Sequence, residues 1–293
     1  MPTPVSTRLT LSALVRALRP EEWVKNLFVY AGLLFGGEFD FAAALQATGA
    51  FIAFCAVASA GYLVNDIRDV ELDRRHPTKR HRAIASGALP IPTARVVAIV
   101  LLLAGLGVGL LVSPGVCGIV AAYGALTLSY SLVLKRLVII DVMTIAGCFL
   151  LRVLAGAVAV GVKASPWLLV CTGMVSLFLG FTKRRQEAVL EKNAQFGARP
   201  VLEHYTLPFL DQMVSMVSAG TVLSYTIYAT QSPLAGDAML WTVPMVVYGV
   251  FRYLYLIYHR EDASSTANLV TSDPGIIGAA IAWVVAAALV VYL

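Results

Sequence analysis

The sequence predicts an all-α, polytopic membrane bundle of about nine transmembrane helices, and three observations carry that prediction. Hydrophobic residues make up 59% of the 293 and charged residues only 13%, too few charges to cover a soluble surface of this size. The apolar residues come in long runs, near the roughly 18 residues that cross a bilayer core. Lysine and arginine are concentrated in alternate connecting segments, as expected of a chain with one positively charged, cytoplasmic side.

Taken in order, residues 1–22 lack the apolar stretch and small-residue cleavage site of a signal peptide. They read as an amphipathic interfacial helix, with Leu9, Leu11, Leu14, Val15 and Leu18 set against Arg8, Arg16 and Arg19. Hydrophobic spans follow at about Lys25–Gly37, Phe41–Val64, Ala94–Val112, Val116–Leu134, Val138–Val162, Trp167–Thr182, Leu207–Thr230, Trp241–Tyr258 and Ile276–Leu293. The first is the shortest, and a re-entrant segment there would leave eight. Residues 1–293 are read as a single transmembrane domain. Cys55, Cys117, Cys148 and Cys171 all lie in apolar runs without C-x-x-C spacing, so they read as small hydrophobes, not as a disulfide, zinc or redox set.

With the N-terminus inside, the cytoplasmic segments hold Arg8 to Lys25, Arg68 to Arg82, Arg95, Lys135, Arg136, Lys183 to Arg199 and Arg260, against Lys163 outside. The chain therefore reads as a multi-pass membrane protein with its N-terminus and its polar motifs on the cytoplasmic side. The net charge of +5 forms a cationic rim. Its short loops contain no nucleic-acid-binding module, so an anionic lipid surface or a phosphate-rich substrate explains it better.

The chemistry concentrates where the second span ends, at Asn65-Asp66-Ile67-Arg68-Asp69-Val70-Glu71-Leu72-Asp73. A helix continuing past the membrane boundary places Asp66, Asp69 and Asp73 on one face, with Asn65 bordering it. Like charges so spaced repel, and a divalent cation removes the repulsion. All-oxygen ligands suit Mg²⁺, which typically takes one or two carboxylates and completes its shell with substrate phosphates and water. A solvated helix end, paired with Arg68, Arg74 and Arg75, is the plainer alternative. Against it, the first aspartate ends an apolar run, where an ionised group is costly. The Arg74–Gly87 loop then supplies Lys79 and Arg82 for a ligand with several phosphates. Asp141 and Arg152 in span five, and Arg252 in span eight, are ionisable groups at membrane depth. Asp141 would support Lys135 or a substrate hydroxyl, whereas Arg152 and Arg252 would bind a ligand or brace the bundle.

The Asn65-Asp66-x-x-Asp69-x-x-x-Asp73 stretch resembles the first aspartate-rich motif of the UbiA-type intramembrane prenyltransferase superfamily. Tyr130 to Arg136 is similar to its Tyr-x-x-x-Lys motif, with one more residue between Tyr130 and Lys135. Members are helical bundles with a central cavity open to the cytoplasm. Further stretches resemble the decaprenyl-phosphate phosphoribosyltransferase branch: Arg19-Pro20-x-x-Trp23-x-Lys25-Asn26, Asn65 through Arg80, and Asp141 with Phe149 and Arg152. After span six, where ordinary members carry a second aspartate pair, this chain has Lys183-Arg184-Arg185-Gln186-Glu187 in an expected loop.

The resemblance implies a Mg²⁺-dependent transfer of 5-phosphoribose from phosphoribosyl diphosphate (PRPP) to a polyprenyl phosphate. Asp66, Asp69 and Asp73 would hold the metal and act in catalysis with Lys135. Lys25, Asn65, Arg68, Lys79, Arg82, Tyr130, Asp141, Lys183 and Arg184 would contact substrate. The implied partners are PRPP, the lipid phosphate and the bilayer, and the resemblance allows a homo-oligomer. Two rivals remain: an ordinary prenyltransferase with an aromatic acceptor, which the missing aspartate pair argues against, and a transporter or lipid-handling scaffold, for which no inverted repeat stands out.

Overall fold

The computed structural model describes residues 11–35, 40–76, 78–194, 200–231, 236–259 and 272–292. The expected contributions of Arg8, Leu9, Gly37, Pro77, Arg199 and Arg260 lie outside these residues. The α-helices are α1 (Leu11–Leu18), α2 (Ala31–Phe35), α3 (Phe41–Arg68), α4 (Val70–Arg75), α5 (Ile91–Val112), α6 (Pro114–Leu132), α7 (Ile140–Ala159), α8 (Pro166–Ala194), α9 (Leu207–Thr230), α10 (Val243–His259) and α11 (Pro274–Tyr292). Short 3₁₀ helices join several of them, at Pro20–Tyr30, Lys79–His81, Leu134–Arg136, Pro200–His204 and Gly236–Thr242.

Seven of the described helical segments are long and apolar enough to cross a membrane, at 41–68, 91–112, 114–132, 140–159, 166–190, 237–259 and 274–291. This is a multi-pass membrane protein. Large apolar side chains stay exposed along α5 (Val96, Ile99, Val100, Leu103, Leu111) and α11 (Ile281, Val284, Val285, Leu289), surfaces suited to hydrocarbon. The 24-residue α9 matches the expected seventh span in length but is more polar. The expected first span, Lys25–Gly37, instead runs as a 3₁₀ helix to Tyr30 and then the five-residue α2.

The chain divides into two compact units. The first comprises Met1–Leu33, Asp40–Val133 and Leu151–Val162; the second comprises Leu34–Phe39, Leu134–Leu150 and Lys163–Leu293. In the first, α3 is the centre, packed against α1, the Pro20–Tyr30 segment, α5 and α6. Its close approach to α5 uses Gly105, where a Cβ would stand 2.7 Å from a Val57 methyl and 3.0 Å from the Ala53 carbonyl. Helix α1 buries Ala13 and Ala17 in a cluster with Leu63, Ile84 and Leu89, and leaves Leu11 and Val15 exposed. Of the expected apolar face, Leu14 and Leu18 pack against the same cluster, while the small residues Ala13 and Ala17 are the most deeply buried.

The second unit packs α8 on α9, and α10 on α9 and α11. Phe178, Phe181, Leu210, Val214, Val250, Tyr253 and Leu256 form its core. Helix α8 continues to Ala194, so Lys183–Glu187 is helical and not the loop expected after Thr182. Strong helix formers (Lys, Arg, Gln, Glu, Ala, Leu) and the Arg184–Glu187 pair one turn apart explain the extension.

Candidate functional site

In the first unit the apolar α3 ends at Arg68, and Asp69 (φ −90°, ψ 9°) turns the chain into α4. The three aspartates therefore do not lie along one continuous helix. The turn nonetheless brings Asp66 and Asp73, both buried, toward a shared cation. Arg82 Nη1 donates to Asp73 Oδ2 at 2.6 Å and to Asp66 Oδ1 at 3.2 Å. Arg19 Nη2 donates to both Asp66 oxygens, at 2.6 and 2.8 Å, with its guanidinium 5.0 Å from the Tyr62 ring centre. Arg19 was expected on an interfacial helix; its left-handed backbone (φ 52°) instead turns it in as a partner of Asp66.

The segment bearing Arg19 and Lys25 is pinned along its length. Trp23 Nε1 donates to Ser59 Oγ at 3.0 Å, and Ser59 Oγ donates to the Leu18 carbonyl at 2.9 Å. Asn26 Nδ2 donates to Cys55 Sγ at 3.2 Å. Arg152, 4% exposed, donates from Nε to Asn26 Oδ1 at 2.7 Å and from Nη2 to Tyr123 Oη at 3.0 Å. The backbone of Val29 closes on α7 at Gly156, where a Cβ would stand 1.7 Å from the Val29 carbonyl oxygen. Arg152 thus braces the bundle. Lys25 pairs with Glu22 and stays partly exposed.

Arg68, an expected substrate contact, is exposed. Its guanidinium donates to the Ser131 and Leu132 carbonyls, at 2.8 and 3.0 Å, and so satisfies the C-terminal end of α6. Asn65, Asp69, Lys79, Tyr130, Lys135 and Lys183 are half-buried, accessible in part to solvent.

In the second unit the expected phosphate contact Arg184 is only 1% exposed. Its Nε donates to Asp141 Oδ2 at 2.6 Å, and its Nη1 pairs with Glu187. Asp141 is fully buried and also accepts the Tyr205 hydroxyl, at 2.8 Å. Both are expected at the substrate, and in the structure they satisfy each other, because a buried charge needs a close partner. Burial, reinforced by the Asp141 carboxylate, pushes the Tyr205 hydroxyl well above its usual pKa, so it remains a donor. Arg185 donates to Asp211 Oδ1 at 2.5 Å, lies 3.9 Å from the Tyr258 ring centre, and shares Asp211 with the Tyr258 hydroxyl. Arg252 donates to Asp273 at 3.0 and 3.2 Å, a structural pair. Tyr205, Asp211 and Asp273 had no signal in the sequence, since their partners are 21 to 66 residues away.

The acidic cluster's donor set fits a hard divalent cation. Two carboxylates converge on one point that already holds a positive nitrogen. Among the described residues no three His, Cys, Asp or Glu side chains close on a single point. A protein-only cage is therefore absent there, and Mg²⁺ does not require one when phosphate oxygens and water complete its shell.

Comparison with known proteins now adds to the geometry. Residues 26–272 match the UbiA prenyltransferase family. A decaprenyl-phosphate phosphoribosyltransferase of Corynebacterium glutamicum is 35% identical over 290 residues, 96% of this chain and 87% of that protein. One of Mycolicibacterium smegmatis is 36% identical over 243 residues, 81% of this chain and 76% of that protein. A solved UbiA homologue from Archaeoglobus fulgidus, bound to GPP and Mg²⁺, aligns with a TM-score of 0.74 over 96% of this chain and 100% of its own. At 17% identity that likeness speaks to the fold alone.

Proposed function

The chain belongs to the UbiA prenyltransferase family, and within it we propose that it transfers 5-phosphoribose from phosphoribosyl diphosphate to a polyprenyl phosphate, releasing diphosphate. The observation that carries this reading is the 35% identity to a named decaprenyl-phosphate phosphoribosyltransferase over 96% of the chain. Decaprenyl phosphate is accordingly the first lipid to test. The Lys183–Glu187 segment supports the reading against an ordinary prenyltransferase, since it stands where the resemblance would have required a second acidic pair.

In the proposed reaction a phosphate oxygen of the lipid forms a bond to the anomeric carbon, and the bond from that carbon to the diphosphate oxygen breaks. The lipid phosphate is already ionised at neutral pH, so no general base is needed. Mg²⁺ held by Asp66 and Asp73, with Asp69 beside them, would neutralise charge on the departing diphosphate. Arg19 and Arg82 hold the two carboxylates in place, and Arg82 with Lys79 offers donors to phosphate. In the second unit, Lys135 and Lys183 are the proposed phosphate contacts. Carboxylate charge also favours the oxocarbenium-like character that develops on the ribose.

The proposal places the protein in a bacterial inner membrane, since the named relatives come from bacteria, and sets its N-terminus and acidic cluster on the cytoplasmic side on the asymmetry of lysine and arginine. Nine spans are retained by counting the 24-residue α9 and the Pro20–Phe35 segment with the seven apolar helices.

The test is purified protein in detergent with PRPP labelled in the ribose, decaprenyl phosphate and Mg²⁺. Label is expected in the organic phase, lost with EDTA and reduced at least about 100-fold in Asp69→Asn, the scale of removing one electrostatic contact from a reacting centre. Lack of organic-phase label with folded wild-type protein overturns the proposal.

A further inference from the structure

We propose that Tyr205, outside every motif above, is a positioning residue that sets the backbone of the Leu134–Asp141 turn and through it the placement of Lys135. The inference rests on the phosphate-contact role proposed for Lys135.

Ile139 stands at φ 69°, in the left-handed region. A β-branched side chain is a true outlier there, and such a conformation persists only where its surroundings over-determine it. Here the surroundings are specific. The Ile139 amide donates to the Tyr205 hydroxyl at 2.7 Å, and that hydroxyl donates onward to Asp141 Oδ1 at 2.8 Å. The other Asp141 oxygen accepts from Arg184 Nε at 2.6 Å. One phenol therefore bridges the strained residue and the first turn of α7, and Arg184 anchors that bridge to α8.

The backbone of the turn is closed by its own hydrogen bonds, from the Leu137 amide to the Leu134 carbonyl at 3.1 Å and from the Asp141 amide to the Leu137 carbonyl at 3.0 Å. Lys135 sits in the Leu134–Arg136 3₁₀ turn, which packs beside Pro200–His204, the helix leading directly into Tyr205. Phosphate binding by a lysine depends on where a point charge is held, so a loosened turn should weaken binding more than turnover. The Tyr205 ring is buried, and replacing it with phenylalanine removes only the hydroxyl.

The test has two parts, in folded protein. In steady-state transfer, Tyr205→Phe is expected to raise KM for a phosphate substrate about fivefold while kcat changes less than twofold, the pattern of a lost positioning contact. Lys135→Ala is expected to raise the same KM, and the double variant to be no worse than Lys135→Ala alone, because both act through one group. Effects that multiply, or a Lys135→Ala without effect, overturn the inference.

The second part needs no substrate: hydrogen exchange at 134–141 is expected to quicken at least tenfold in Tyr205→Phe, and unchanged exchange also overturns it. A wild-type protein that fails to turn over PRPP sinks the functional proposal instead, and the exchange measurement still judges the lock. Should Tyr205→Phe not fold, wild-type exchange decides: the Ile139 amide, donor to the Tyr205 hydroxyl, is expected to be strongly protected although Ile139 is 40% exposed, and exchange as fast as that of an unbonded amide overturns the inference.

Discussion

Arg152 lies more than two turns inside α7 yet is satisfied without reaching solvent: Asn26 Oδ1 and Tyr123 Oη accept from it, and the rings of Phe54 and Tyr123 lie 5.7 and 4.7 Å away. Removing it leaves two buried polar groups short of a donor, each costing about 1–3 kcal/mol. Arg152→Met is therefore expected to lower the apparent Tm in detergent by several degrees and to impair transfer through loss of folded protein. A Tm within about a degree of wild type, with transfer abolished, would instead assign Arg152 to substrate. The aspartates differ in kind. Asp66 and Asp73 hold oxygen atoms toward one nitrogen of Arg82, an arrangement built for a cation and expensive without one.

Elements carry these side chains by local devices, some legible in the sequence and some not. Apolar run length located α3, α5, α6, α7 and α11 to within a few residues, because each must present hydrocarbon to its surroundings over a fixed thickness. The Asp66–Asp73 spacing announced the acidic cluster, but not the turn at Asp69 that makes the two outer carboxylates converge. Pro20–Tyr30 was illegible as a 3₁₀ helix: what holds it is Arg152, Ser59, Cys55 and the approach at Gly156, all remote in sequence. Nor does any local pattern place Ile139 in the left-handed region.

That last feature gives an element-level prediction. Left-handed backbone costs a non-glycine residue roughly 1–2 kcal/mol, and Ile139 is 40% exposed, so glycine would relieve strain while losing modest packing. Ile139→Gly is expected to be about 1 kcal/mol less destabilising than Leu137→Gly, two residues away and 45% exposed. Equal losses in thermal melts would show that the turn stores no strain.

For the whole molecule, membrane residence was plain from composition, and the acidic cluster and family from motifs. The tertiary partners of several arginines were not, since arginines look alike in sequence. Arg68 closes the end of α6, Arg184 neutralises Asp141, and Arg19 meets Asp66, roles set only by tertiary neighbours. The choice of donor separates this protein from an ordinary prenyltransferase, and a dual-label competition decides it. Purified protein would receive, in one vessel with Mg²⁺, ¹⁴C-PRPP, decaprenyl phosphate, a ³H-prenyl diphosphate and an aromatic acid. We expect ¹⁴C in a lipid product that is absent without decaprenyl phosphate, and no ³H on the aromatic acid. Tritium on the acid with no ¹⁴C in lipid would return the protein to prenyl transfer and remove the basis for reading Lys183–Glu187 as a phosphate-handling segment.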